Sequence, residues 1–402
     1  MSLFAPSHVY FVGVHGPIGG LLAFHLRRNM PSTSNITVIR RNSLQMDDFV
    51  GKQNGAVHVT KDGVRRAAYG FLASIPNPSQ SARRRTNRIP ENPIDILFMS
   101  TRTFSAKPML SMLKSRLNRS STVVMLQNGL GVYDDVVKEL FTDPATRPHF
   151  VIASHSHRVY QQGVLDFIHT HSGKLEFSVL PNDPYVQAEA GFHNQALSPF
   201  DRAGRVEDII PPKHPHPERL HSLATSVQLL KSVEELNPTW LSNSDLQVLI
   251  RERLVIDSIV DPLTAVMRCT NGYLLTTDYA RHIISNACNE ASKIFQAELN
   301  QSTRDTAGKN WTPSMMRALP DALHPRTLES TVMDYLKDSP GQMSQMLSDV
   351  RKGKPTEVNH LTGRLLKLAT DLKSEAKIPV PTLRVLYNLV GMRSSIPLDQ
   401  NM

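Results

Sequence analysis

The hydrophobic rhythm of the chain changes twice. At the start, short unbroken β-rich runs alternate with stretches of helical spacing. A segment over 182–224 has little periodicity, and from about Asn243 the spacing is helical nearly to the end. Val9-Tyr10-Phe11-Val12 is the first strand-like run and stops at Gly13. A helical stretch from Leu21 to Leu26 follows, then a second run, Ile36-Thr37-Val38-Ile39, stopped by Arg40-Arg41. This is a βαβ unit of roughly 30 residues. Further strands are predicted at Ile94–Ser100, Thr122–Leu126 and Phe150–Ser154. Apolar strands separated by helices predict a parallel sheet covered on both faces.

Two segments interrupt the pattern. Residues 77–93 carry Arg83, Arg84, Arg85 and Arg88 and read as a basic loop. Residues 182–224 are rich in proline and histidine, notably Pro211-Pro212-Lys213-His214-Pro215-His216-Pro217, and read as a linker carrying an insertion.

Composition narrows the class. The chain has 402 residues, 40% of them hydrophobic and 20% charged, enough for packed cores in more than one domain. No apolar run reaches the ~18 residues of a membrane-spanning helix. Only Cys269 and Cys288 occur, which excludes a disulfide scaffold and a cysteine-rich zinc module. A net charge of +9 favours anionic ligands without choosing among a phosphorylated cofactor, a carboxylate and nucleic acid.

The turn between the first strand and the first helix reads Gly13-Val14-His15-Gly16-Pro17-Ile18-Gly19-Gly20. Glycines at such a turn let a pyrophosphate approach backbone N–H groups at a helix N-terminus. Gly16 and Gly19 keep the regular spacing, but Gly13 lies one residue too far away, as though His15 were inserted. Gly13, Gly16 and Gly19 are therefore candidate cofactor-binding residues. After the second strand, an NAD site would want Asp or Glu, but Arg40 and Arg41 stand there. A guanidinium pairs with the 2′-phosphate of NADP, so NADPH is the expected cofactor. The expected architecture is α/β: a Rossmann-like NADPH-binding domain over 1–181, a linker with the Pro/His-rich insertion over 182–240, and an all-helical C-terminal domain over 241–402.

Beyond this point the sequence resembles the ketopantoate reductase (2-dehydropantoate 2-reductase) family. Asp95 to Arg102 is similar to the family's strand ending in Val-Lys, and Gln127-Asn128-Gly129-Leu130-Gly131 keeps its Gln-Asn-Gly-hydrophobic-Gly motif. Arg253 to Ala265 corresponds to Lys-Leu-x-x-Asn-x-x-x-Asn-Pro-Leu-Thr-Ala, and Asn271-Gly272 follows. Asp349 and Thr356-Glu357 match the later Asp-x7-Glu stretch. The resemblance implies NADPH bound between a sheet domain and a helical domain, and reduction of a 2-keto acid such as ketopantoate to the 2-hydroxy acid, a step of pantothenate biosynthesis.

By that resemblance, Asn128 and Glu357 are kept, and Arg102 replaces the nucleotide-side lysine. Arg253 replaces the proton-donating lysine, while Asp257 and Asp261 replace two substrate-holding asparagines. Gln345, with Ser344 beside it, replaces a substrate-binding serine. Arg253, Glu357 and Asn128 are thus the candidate catalytic residues. Asp257, Asp261, Ser344 and Gln345 are the candidates for substrate; Arg102 and Asn128 join the cofactor set.

The substitutions change the chemistry. Residues 253, 257 and 261 are spaced i, i+4, i+8, so on a helix they form one polar stripe. An arginine stays charged and cannot readily donate a proton, though it can stabilise a developing alkoxide, leaving water to supply the proton. Ionised aspartates only accept hydrogen bonds and would repel a carboxylate substrate.

Two hypotheses follow: an NADPH-dependent keto-acid reductase, or a catalytically degenerate relative that binds nucleotide, RNA or protein through surfaces such as the 77–93 loop. The first leads, with a small 2-keto acid as partner and a homodimer left open. His155 and His157, and His169 and His171, are i, i+2 pairs that could face one side of a strand. With no cysteine or carboxylate completing a ligand set, ordinary strand histidines are expected and no metal site. The start is acid-free before Asp47 and holds Arg27, Arg28, Arg40 and Arg41, as in some mitochondrial proteins. A strand beginning by Val9 leaves no room for a cleavable leader, so a cytoplasmic protein is expected, with the mitochondrion as alternative.

Overall fold

A computed structural model describes residues 8–51, 55–76, 93–127, 130–198, 201–310, 312–372 and 378–396. They form two compact units, the first taking in the chain up to 127 and 131–246, the second running from Gln247 onward.

The first unit is built on an eight-stranded sheet. In chain order the strands of this unit are β1 (His8–Val12), β2 (Asn35–Ile39), β3 (Val57–Lys61), β4 (Val64–Ala68), β5 (Phe71–Ser74), β6 (Ile96–Met99), β7 (Thr122–Met125), β8 (His149–His155), β9 (Arg158–Gly163), β10 (Asp166–His171), β11 (Leu175–Leu180) and β12 (Pro238–Trp240). The large sheet has the order β12-β11-β8-β7-β6-β1-β2-β5. All its neighbours are parallel except β8 and β11. The strands foreseen from their apolar runs are present, and β1, β6 and β7 are buried almost throughout, as doubly covered strands must be. From β1 the chain builds outward through β2 and β5, then returns to place β6 on the other side of β1. The order therefore reverses beside β1, and at such a switch point the crevice outside the strands' carboxyl ends accepts a ligand.

A second sheet, β4-β3-β10-β9, was not foreseen. Its first hairpin carried a legible signal, because Asp62-Gly63 joins β3 to β4 with both residues at positive φ, the backbone that a two-residue hairpin loop requires. Helix α1 (Pro17–Asn29) packs on this sheet and is buried continuously from Gly19 to Leu26. Contact is so close that a Cβ on Gly20 would overlap the Phe167 ring of β10.

The 182–240 segment is not a linker. It supplies the helix His221–Ser232 and strand β12 to the first unit. Ile209, Leu220, Leu223, Val227, Leu230 and Trp240 join that unit's apolar core. The proline- and histidine-rich piece is tied down where His214 Nε2 meets Asp183 Oδ1 at 3.1 Å and Asn182 Nδ2 donates to the carbonyls of Pro144 and Arg147. Leu220, Leu223, Val227 and Leu230 have helical spacing, but the neighbouring prolines masked it.

The second unit is helical, with the long helices Asn243–Met267 and Asp278–Ala307 and shorter ones at Pro325–Asp338, Gln345–Arg351, Thr362–Asp371 and Pro381–Ser395. Pro262 lies inside the first of these. It has no N–H to offer the carbonyl four residues back. That carbonyl, on Ser258, instead accepts from Thr362 Oγ1 at 3.0 Å. No helix among the described residues is long and apolar enough to cross a membrane.

Candidate functional site

The first group of candidate residues gathers at the switch point. Gly13 ends β1 with φ +96°, and a Cβ there would run into the carbonyl oxygen of Ser100, just beyond β6. A Cβ on Gly19 would strike the carbonyl of Gly13. These two glycines are demanded by the protein's own packing. Gly16 is different: its φ is −80° and an added Cβ would meet nothing closer than 3.4 Å. No internal contact requires its lack of a side chain, which leaves the turn open to close approach by a ligand. Gly16 caps α1, its N–H donates to the Gly13 carbonyl at 2.9 Å, and the 13-residue helix presents its positive end beyond it. No acidic residue occupies that first turn.

Arginines surround this cradle. Arg40 follows β2 directly and its backbone N–H donates to the Ser74 carbonyl at 2.7 Å, extending the β2–β5 ladder by one rung. Its Nε donates to the Gln45 carbonyl at 3.3 Å, and its Nη1 contacts Nδ1 of His15. Burial, with the Arg40 charge nearby, pushes His15 down to about 4, so the ring is neutral. Arg41 is exposed and reaches Ser105 Oγ at 3.3 Å. Arg102 is half-buried at the start of the helix Thr103–Leu113, after β6. The carboxyl ends of β1, β2 and β6 thus carry a glycine turn and cations, an arrangement suited to a phosphorylated dinucleotide. Asn128 lies outside the described residues, as do the arginines of the 77–93 segment.

The second group sits in the helical unit. Arg253, Asp257 and Asp261 project from Asn243–Met267 at the expected spacing, all half-buried. Glu357, about 100 residues later, comes close enough to Asp257 to act on its charge, as does Arg253. Although part of Asp257 meets solvent, its carboxyl is enclosed by protein. This desolvation raises it to about 7, with Arg253 pulling it down and Glu357 pushing it up. Residue 257 therefore does not behave as an ordinary ionised aspartate: at neutral pH its protonated and ionised forms coexist, and the protonated form gains as pH falls. Periodicity located the residue, but the enclosure that sets its protonation comes from distant segments.

Ser344 and Gln345 have other partners. Ser344 is buried and caps the helix Gln345–Arg351, accepting from Leu347 N–H at 3.1 Å while Thr264 Oγ1 donates to it at 2.7 Å. Gln345 Nε2 donates to Asp349 Oδ1 at 3.2 Å. The Asn271-Gly272 pair is structural: Asn271 is fully buried, with Nδ2 donating to Ser339 Oγ, and Gly272 packs against Pro340.

The first histidine pair does not form as an i, i+2 face, whereas His169 and His171 both lie in β10, the former buried and the latter exposed. His155 ends β8 while His157 lies beyond it, and His157 Nδ1 meets His169 Nε2 at 3.2 Å, with its Nε2 on the Leu236 carbonyl. Among the described residues no group of three or more His, Cys, Asp or Glu is placed to hold a metal ion.

A switch-point sheet with a glycine turn, followed by a helical unit carrying a half-buried cluster of titratable side chains, places the protein among the Rossmann-like α/β proteins with a helical second unit. Sequence models described as "Ketopantoate reductase PanE/ApbA" and "Ketopantoate reductase PanE/ApbA C terminal" match residues 9–182 and 245–394, and the chain belongs to the ketopantoate reductase family. Among its relatives, a probable 2-dehydropantoate 2-reductase of Schizosaccharomyces pombe is 22% identical over 293 residues, covering 71% of this chain and 72% of that protein. A ketoisovalerate reductase of Beauveria bassiana is 21% identical over 399 residues, covering 90% of this chain and 78% of that one. The fold is shared with a D-mandelate dehydrogenase solved with NADH and anilino(oxo)acetate, at a TM-score of 0.66 and 13% identity, covering 96% of this chain and 98% of that one. It is shared equally with a PanE/ApbA family ketopantoate reductase from Ralstonia eutropha JMP134, at 0.64 and 16%, with the same coverage.

Proposed function

We propose that the protein is an NADPH-dependent reductase of a small 2-keto acid, ketopantoate or a relative, giving the 2-hydroxy acid. The observation that carries this reading is the meeting of Arg253, Asp257 and Glu357 from segments about 100 residues apart, in a chain of this family. A cluster with no task would lose the enclosed carboxyl, since a buried titratable group costs stability that a neutral side chain would not.

The glycine turn and the N-terminus of α1 fit a pyrophosphate, and Arg40 with Arg41 fits a 2′-phosphate. The cofactor, when bound, supplies the hydride. Arg253 donates hydrogen bonds to the keto oxygen and stabilises the negative charge that grows there. Asp257, protonated near neutral pH, gives its proton to that oxygen as the alcohol forms, the role an arginine cannot take. Glu357, beside it, disfavours an ionised Asp257 and so keeps the proton in place. Relatives with the names 2-dehydropantoate 2-reductase and ketoisovalerate reductase support a branched 2-keto acid as substrate.

The test is oxidation of NADPH by the purified protein with ketopantoate and a panel of 2-keto acids, followed at 340 nm. Turnover of a 2-keto acid is the expected result. Binding of NADPH without oxidation by any keto acid would overturn the reductase reading.

A further inference from the structure

His15 is the residue that breaks the regular glycine spacing, and the turn would be shorter and closer to the usual fingerprint without it. Its place in the structure gives it a use. Guanidinium groups donate and never accept, so the contact between Arg40 Nη1 and His15 Nδ1 requires a lone pair on Nδ1. The ring is therefore the tautomer with its proton on Nε2. That second nitrogen is buried and makes no hydrogen bond among the described residues, so it does not fasten the turn to the fold. On the other side, Arg40 Nε is held by the Gln45 carbonyl. A long, rotamer-rich side chain is thus held at two of its nitrogens, with its backbone fixed to Ser74 at the edge of the sheet. Holding an arginine in one geometry before the ligand arrives removes an ordering cost from binding.

We propose that His15 is a positioning residue for cofactor selection, orienting Arg40 so that its guanidinium meets the 2′-phosphate that distinguishes NADPH from NADH. This rests on the reading of the glycine turn as a dinucleotide site. His15 makes no claim on the nicotinamide or on the keto acid. Its effect is confined to the difference between the two cofactors.

The experiment is titration calorimetry of NADPH and NADH into the unaltered protein and into His15→Phe, His15→Asn, Arg40→Ala and the His15→Phe/Arg40→Ala double variant. Phenylalanine keeps the ring and removes the acceptor. Asparagine keeps an acceptor oxygen near the Nδ1 position. In His15→Phe the preference for NADPH falls about five- to ten-fold, the scale of one ordinary hydrogen bond. His15→Asn restores most of it. The double variant loses no more than Arg40→Ala alone, because the two residues act as one unit. If His15→Phe does not fold, His15→Ala carries the same comparison. An unaltered protein that binds neither cofactor would refute the dinucleotide reading itself. A clear NADPH preference that His15→Phe leaves intact, or additive losses in the double variant, would overturn the role of His15 alone.

Discussion

At the scale of single residues, the consequential finding is that Asp257 and its asparagine counterpart in the family motif converge. A protonated carboxyl both donates and accepts, as an amide does, so the substitution is less drastic than the letters suggest. It adds one property an amide lacks, a transferable proton. Activity should therefore fall as pH rises through about 7, the value to which burial pushes Asp257, because the ionised form has no proton to give. Asp257→Asn should lower kcat by about 10²–10⁴-fold, the range of general acid catalysis, and remove that alkaline limb. A pH–rate profile of both proteins checks this. Ser344 should behave otherwise. Its hydroxyl oxygen already accepts from Leu347 and Thr264, so Ser344→Ala should cost about 1 kcal/mol of stability, as cap removals do, while a change in KM for the keto acid would report any use of its O–H by substrate. Thermal melts and steady-state kinetics separate the two effects.

At the scale of elements, legibility followed locality. The strands β1, β2, β6 and β7 declared themselves because a buried strand is an unbroken apolar run, and the glycine turn because its backbone demands are local. The hairpins of the small sheet were overlooked despite Asp62-Gly63, since β4 reads Val64-Arg65-Arg66-Ala67-Ala68 and exposes most of one strand. The helix His221–Ser232 hid behind Pro211 to Pro217. In the helical unit the stripe of 253, 257 and 261 was plain from spacing, but neither the approach of Glu357 nor the capping use of Ser344 could be read there. Both arise between segments far apart in sequence. The same holds for Pro262, which leaves the Ser258 carbonyl without its helical donor, a carbonyl met by a hydroxyl 104 residues further along the chain. Thr362→Val keeps the shape and removes the donor, leaving the buried Ser258 carbonyl without it. A loss of about 1–3 kcal/mol is expected in denaturant unfolding.

At the scale of the whole molecule, buried histidines govern the response to acid. His25, His149 and His169 are each pushed down to about 4, chiefly by burial. In the unfolded chain they titrate near 6.5. Their folded values lie below their unfolded ones, so below about 6.5 the unfolded state binds protons that the folded state refuses. Stability is therefore fully present above that pH and declines as pH falls toward 4. His15, also near 4, adds to the same trend, while Asp257, raised to about 7, opposes it without outweighing four rings. The melting midpoint should drop steadily between pH 7 and 5, by roughly 1–2 °C for each 1 kcal/mol lost. A differential-scanning series across that range measures it, and a flat midpoint would show that these rings are not neutral in the fold.

The placement of α1 against the small sheet has a consequence for how the chain is made. The helix emerges early in synthesis, but it is apolar nearly all round, and one of its faces is covered by strands that end at Lys61, Ala68, Gly163 and His171. Until the residues up to 171 have left the ribosome, only the β3–β4 hairpin is available to that face, without the β9–β10 half of the sheet. High sequence separation of this kind slows folding and leaves sticky intermediates exposed. A nascent chain stalled near residue 150 should therefore recruit hydrophobic-binding chaperones strongly, and one stalled some 40 residues past His171, once β10 has cleared the exit tunnel, should release them.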